Sequence, residues 1–65
     1  MNIVLNGEAF KTGSRNLSAL LAEIELDEAV VATALNGEFI AGDEREETLI
    51  QDGDRIEVLA PMQGG

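Results

Sequence analysis

The chemically distinctive group in this sequence stands at its end. The last four residues are Met62, Gln63, Gly64 and Gly65, so the terminal carboxylate follows two residues without side chains. A carboxylate is a poor electrophile. A partner can activate it by moving AMP onto it from ATP, which gives an acyl-adenylate with a good leaving group. That chemistry needs the chain end to reach the α-phosphate through a narrow channel. Glycine has no Cβ and accepts every backbone region, so Gly64 and Gly65 suit such a channel. Attack of a sulfur nucleophile on the adenylate would leave a C-terminal thiocarboxylate on Gly65. A thiocarboxylate is a soft nucleophile that can be delivered elsewhere. Gly64, Gln63 and Met62 would then be the residues that a partner grips behind the reacting end.

Little else in the chain competes for a chemical role. The 65 residues include no Cys, His, Trp or Tyr. That removes thiol nucleophiles, thiolate zinc sites and the usual near-neutral base. A carrier modified by partner enzymes, with no bound cofactor, is expected rather than an enzyme. Without cysteine the chain cannot hold sulfur as a persulfide, so any sulfur must sit on its end. Asp43, Glu44, Glu46 and Glu47 lack the spaced ligands and glycine of a calcium loop, and read as a solvated loop rather than a metal site.

Thirteen acidic residues against four basic ones give a net charge of −9. This balance disfavours nucleic acid and anionic membranes as partners and favours a basic docking surface. The acids concentrate between residues 23 and 54, which reads mainly as a solvated face. No apolar run approaches the roughly 18 residues needed to cross a bilayer. Met1–Leu5 lacks the basic start and long apolar stretch of a signal peptide, which points to the cytoplasm.

The length allows one small domain with a thin core. The expected layout is a folded domain over 1–61 and a flexible tail over 62–65. Ile3-Val4-Leu5 reads as a strand. Asn6-Gly7 follows as a type I′ hairpin turn, and Glu8–Thr12 as the returning strand. Asn16 is a candidate N-cap. Leu17, Leu20, Leu21 and Ile24 fall on one face of a helix that ends near Glu25 or Leu26. Val30–Leu35 reads as a buried strand, Asn36-Gly37 as a second turn and Glu38–Ile40 as a short strand. Ala41–Glu47 reads as irregular, with room for one helical turn. Asp52-Gly53 is a turn signal. Arg55–Leu59 alternates as a last strand, which Pro61 ends. Leu-Asn-Gly-Glu occurs at 5–8 and 35–38. Its unmatched flanks favour two independent turns over a duplication.

One leucine-faced helix must cover one face of a mixed sheet. With the first and last strands parallel in the middle, the class is α+β. The arrangement is the ubiquitin-like β-grasp, a mixed four- to five-stranded sheet packed on one main helix. Ile3, Leu5, Leu17, Leu20, Leu21, Ile24, Ile56 and Val58 would form its core. Val4 and Leu59 would then point away from the helix, since strand side chains alternate. They would form a small apolar docking patch beside the tail.

The whole chain resembles the thiamine-biosynthesis sulfur carrier family, ThiS. The resemblance rests on Ile3-Val4-Leu5-Asn6-Gly7, Leu17-Ser18-Ala19-Leu20-Leu21 and Ala34-Leu35-Asn36-Gly37-Glu38. It rests also on Leu49 through Val58, and most specifically on Gly53-Asp54-Arg55-Ile56-Glu57 together with the Gln63-Gly64-Gly65 end. It implies that Gly65 is adenylated by an E1-like enzyme of the ThiF type using ATP, then thiocarboxylated. It implies sulfur drawn ultimately from a cysteine desulfurase and delivered to a thiazole synthase of the ThiG type. Many members carry a Pro-Arg pair and an aromatic residue where this chain has Ala41-Gly42-Asp43-Glu44-Arg45-Glu46-Glu47. Other readings of the same tail are a sulfur carrier for molybdopterin or another pathway, a ubiquitin-like protein modifier, and a β-grasp binding module with an inert end.

Overall fold

The computed structural model describes residues 1–27 and 29–60. The elements run β1 (Asn2–Leu5), β2 (Glu8–Lys11), α1 (Leu17–Glu23), β3 (Ala32–Leu35), β4 (Glu38–Ile40), a 3-10 helix (Gly42–Glu47) and β5 (Arg55–Leu59). The expected 62–65 tail and the strand-ending role of Pro61 lie outside the described residues.

The strands form one sheet in the order β2-β1-β5-β3-β4. β1 and β5 pair in parallel, and the other neighbours are antiparallel. This is the β-grasp arrangement that the order of elements implied. Both hairpins turn through positive φ, at 51° and 84° for Asn6 and Gly7 and at 52° and 86° for Asn36 and Gly37. Those are the angles that a type I′ turn demands and that Asn-Gly supplies with least strain.

Helix α1 begins where Asn16 caps it, its side-chain oxygen accepting from the Ala19 amide at 2.7 Å. Leu17, Leu20 and Leu21 are buried against Ile3, Ile56 and Val58 of the sheet. Leu5 and Ile24, expected as core, are only partly buried at its margin. Ile50 is a core residue that periodicity did not mark. It arrives through the stretch after the 3-10 helix, which folds back over the helix start. There the Leu17 amide donates to Thr48 O at 3.0 Å and the Ile50 amide to Arg15 O at 2.9 Å.

Two boundaries differ from the sequence reading. The strand expected over Val30–Leu35 starts only at Ala32, and Val30 is 80% exposed. Ala32 stands opposite Leu59, the last residue of β5, so Val30 has no strand beside it. The acidic stretch forms two turns of 3-10 helix rather than one helical turn. Arg45 pins it to β3, donating to Thr33 Oγ1 at 3.0 Å and to Val31 O at 2.7 Å.

The helix closes earlier than expected, with Ile24 as C-cap. The Leu26 amide donates to Leu21 O at 2.8 Å and the Glu25 amide to Ala22 O at 3.0 Å. These two bonds are a Schellman motif, which places Glu25 at the position that glycine usually holds. Glu25 sits there at φ 65°. A left-handed L-residue costs about 1–2 kcal/mol. Glu25→Gly is therefore expected to raise stability by roughly 1 kcal/mol, net of the extra chain entropy of glycine. Urea unfolding would measure it, and a loss of stability would contradict the assignment.

Glu23 ties the helix end to the loop after β2. Its carboxylate accepts from the hydroxyls of Thr12 and, at 2.8 Å, Ser14. The Thr12 hydroxyl first, then that of Ser14, holds its pKa below the ordinary 4.5. A carboxyl with a lower pKa folded than unfolded stabilises the fold above the unfolded value, and that contribution is lost as pH falls through the folded one. The stability difference between wild type and Glu23→Gln should thus be constant at neutral pH and shrink on acidification below about pH 4.5. Thermal melts across that range test this, and a pH-independent difference would contradict it.

Candidate functional site

The candidate site has two parts, a strand that leads to the chain end and the sheet face beside it. β5 is the central strand, and its last residue, Leu59, pairs with Ala32 of β3. On the other side, β1 turns away at Asn6. The Asn6 carboxamide then takes over the pairing. Its oxygen accepts from the Val58 amide at 2.8 Å and its nitrogen donates to Val58 O at 3.2 Å. The last residues of β5 are therefore held from both sides up to the point where the chain continues to Ala60. Gly65, Gly64, Gln63 and Met62 lie outside the described residues.

Alternation assigns the faces of the sheet. Ile3, Thr33, Ile56 and Val58 are buried under the helix. Val4, Ala9, Ala32, Ala34, Phe39, Arg55, Glu57 and Leu59 therefore point to the uncovered side. Leu59 is 64% exposed and Phe39 67% exposed. Ala34 stands opposite Phe39 on one side and Glu57 on the other, while Ala32 stands opposite Leu59. The two alanines are too small to shield their neighbours. The result is an apolar stripe running from β5 across β3 to β4, at the end of the sheet from which the chain continues.

Val4 belongs to a different part of that face. It is half-buried, with Ala9 opposite it on β2 and Arg55 on β5. Four residues along β5 separate that level from Leu59, a distance of about 13 Å. Adjacent strands therefore do not bring Val4 and Leu59 into one patch. The other large exposed apolar residue at that end of the face is Phe39, which lies diagonally from Leu59 across Ala32 and Ala34. Its signal was present in the sequence, because in Glu38-Phe39-Ile40 an inward Ile40 forces Phe39 outward.

No other part of the described surface offers a comparable site. A shallow concavity lined by Met1, Thr12, Arg15, Leu49 and Ile50 lies at the opposite end of the sheet. Among the described residues no group of three or more acidic side chains could hold a metal ion. Among them also, no helix is long and apolar enough to cross a membrane.

A surface stripe beside the end of a central strand is a β-grasp feature, and the fold is shared by several kinds of protein. Comparison with known proteins separates them. The family model of the ThiS family matches residues 3–65. The chain belongs to the ThiS family. The sulfur carrier protein ThiS of Thermus thermophilus is 39% identical over 61 residues, covering 94% of this chain and 95% of that one. A crystal structure of the thiamine biosynthesis protein ThiS from Geobacter metallireducens superposes with a TM-score of 0.84 at 33% identity, each chain covered in full. A solution structure of the Geobacter protein gives 0.81 at 32% identity, covering all of this chain and 88% of that one.

A further ThiS-like relative has a different context. A thiazole synthase of Paramagnetospirillum magneticum is 33% identical over 66 residues. All of this chain is matched, but it spans only 20% of that relative. A ThiS-like segment is therefore part of the same polypeptide as a thiazole synthase in that organism. The ThiS relatives are carriers rather than enzymes.

Proposed function

We propose that this protein carries sulfur as a thiocarboxylate on Gly65 and delivers it to a thiazole synthase of the ThiG type for the thiazole ring of thiamine. The match of the ThiS family over residues 3–65, Gly64 and Gly65 included, is the observation that carries the reading. The relative that joins a ThiS-like segment to a thiazole synthase supports the acceptor.

The chemistry follows from the chain end. The Gly65 carboxylate attacks the α-phosphate of ATP in an E1-like adenylating enzyme of the ThiF type, and pyrophosphate leaves. Hydrosulfide, released by a thiol reductant from the persulfide of a cysteine desulfurase, attacks the acyl carbon. AMP leaves, and the product ends in a thiocarboxylate. Gly64 and Gly65 keep the arm narrow, and Gln63 and Met62 contact the partner behind them. The cytoplasm, where ATP is at hand, is the compartment that this reading requires.

The apolar stripe is the docking surface in this scheme. Phe39 and Leu59 are exposed and large, as anchors of an interface should be, and Leu59 is the last residue of β5. Val4 would contribute only at the rim. The acids of the 3-10 helix are a solvated flank that favours encounter with a basic partner surface.

Two experiments test the proposal. Incubation with the adenylating enzyme, ATP and a sulfide source should raise the intact mass by the exchange of one oxygen for sulfur, and deletion of Gly65 should abolish the gain. An unchanged mass, with that enzyme shown active on another carrier, would overturn the carrier reading. Phe39→Thr and Leu59→Thr keep strand propensity and should each change stability by less than about 0.5 kcal/mol. Each should raise the KM for thiocarboxylate formation by at least roughly tenfold, the loss expected of an interface anchor. An unchanged KM would place the docking surface elsewhere.

A further inference from the structure

The repeated Leu-Asn-Gly-Glu has a use that its role as a turn does not explain. Leu5 and Leu35 both stand in register with Ile56, one from the parallel side of β5 and one from the antiparallel side. Directly after each leucine the chain leaves the sheet through a left-handed asparagine. Because the two flanking strands run in opposite directions, they abandon β5 at opposite ends. β3 stops short of the beginning of β5, and β1 stops short of its end.

The asparagine side chains fill both gaps. A carboxamide carries the same N–H and C=O functions as a peptide group, so it can stand in for a missing strand residue. Asn36 does so at the beginning of β5, its oxygen accepting from the Arg55 amide at 2.9 Å. Its nitrogen is spent on Asp54 Oδ1 at 3.1 Å, within the preceding turn. Asn6 does so at the end, with both a donated and an accepted bond to Val58. One copy of the motif anchors the entry to β5. The other anchors the exit, from which the chain runs on to Gly65.

We propose that Asn6 is a positioning residue for the reaction at Gly65. By holding Val58 it sets the direction in which β5 hands on the chain. The inference rests on the thiocarboxylate-carrier reading above. Seven residues lead from Val58 to Gly65. Extended, they reach at most about 24 Å, so the direction in which β5 releases the chain sets the region that the carboxyl can search. Misplacement of a reacting atom by about 1 Å can cost roughly 100-fold in rate. A defined exit therefore matters more for this strand end than for any other in the sheet.

Asn6→Gly and Asn36→Gly form the test, since glycine accepts the left-handed turn while removing the carboxamide. Thiocarboxylate formation is followed by intact mass with the adenylating enzyme, ATP and a sulfide source, below the melting transitions of both variants. N6G should lower kcat by roughly tenfold or more at unchanged KM, because the Phe39–Leu59 stripe still docks, and N36G should stay within about twofold of wild type. N6G should also speed hydrogen exchange at the Val58 amide. Asn6→Asp is the milder variant. It keeps the acceptor for Val58 and should lie between wild type and N6G in kcat. A wild type that gains no sulfur would overturn the carrier reading and this proposal with it. A wild type that reacts while N6G matches N36G, or loses rate through KM instead, would overturn the positioning role alone.

Discussion

The parallel ladder between β1 and β5 is the contact on which the rest of the molecule depends. Val4 donates to Asp54 O and Asn6 to Ile56 O, both at 2.9 Å. These bonds join the first strand of the chain to the last. Closing so long a loop costs conformational entropy before any burial compensates it. The compensation is the core at Ile56, which is fully buried between Leu5 and Leu35 and under the helix. Once β5 is seated, β3 has an edge to pair with and α1 has a continuous surface to cover. Without it the two hairpins are separate two-stranded units, and such units are marginal in water.

The same placement produces the functional layout. β5 is the central strand, so the described chain leaves the sheet at Ala60 from its best-anchored part. The helix covers one face of the sheet and leaves the other open. On that open face, alanines at 32 and 34 let Phe39 and Leu59 project. Asn6, Val58 and the Leu59 end of the apolar stripe thus lie together at the end of the sheet where β5 hands on the chain. In a chain with few reactive side chains, the protein's contribution is geometric. In the carrier scheme proposed above it would present the Gly65 carboxylate and a surface to hold on to, with partner enzymes supplying the chemistry.

Local rules account for most of the elements. Asn-Gly encodes both hairpins because asparagine and glycine tolerate positive φ in succession. Asn16 caps the helix because its short side chain reaches the Ala19 amide. Arg55–Leu59 alternates between buried and exposed because one face of β5 is covered. The departures occur where a long-range contact decided. Ile50 is in the core because the segment after the 3-10 helix pairs with the helix start, which no local period records. Val30 is exposed because β5 ends opposite Ala32. Glu25 adopts a left-handed conformation because the Schellman bonds to Leu21 O and Ala22 O require it there.

By itself the sequence determined the fold class, the hairpins, the helix face and the family, and it offered Gly65 as the candidate site. Each of these follows from neighbouring residues or from a motif read in order. The tertiary structure decided which exposed residues form a surface. Val4 and Leu59 share a face by alternation, but register places them about 13 Å apart along the strands, whereas Phe39 lies diagonally from Leu59 across Ala32 and Ala34. It also decided what the two copies of Leu-Asn-Gly-Glu do. Identical in sequence, they act at opposite ends of one strand because one partner strand runs parallel to it and the other antiparallel, and strand direction is a property of the assembled sheet.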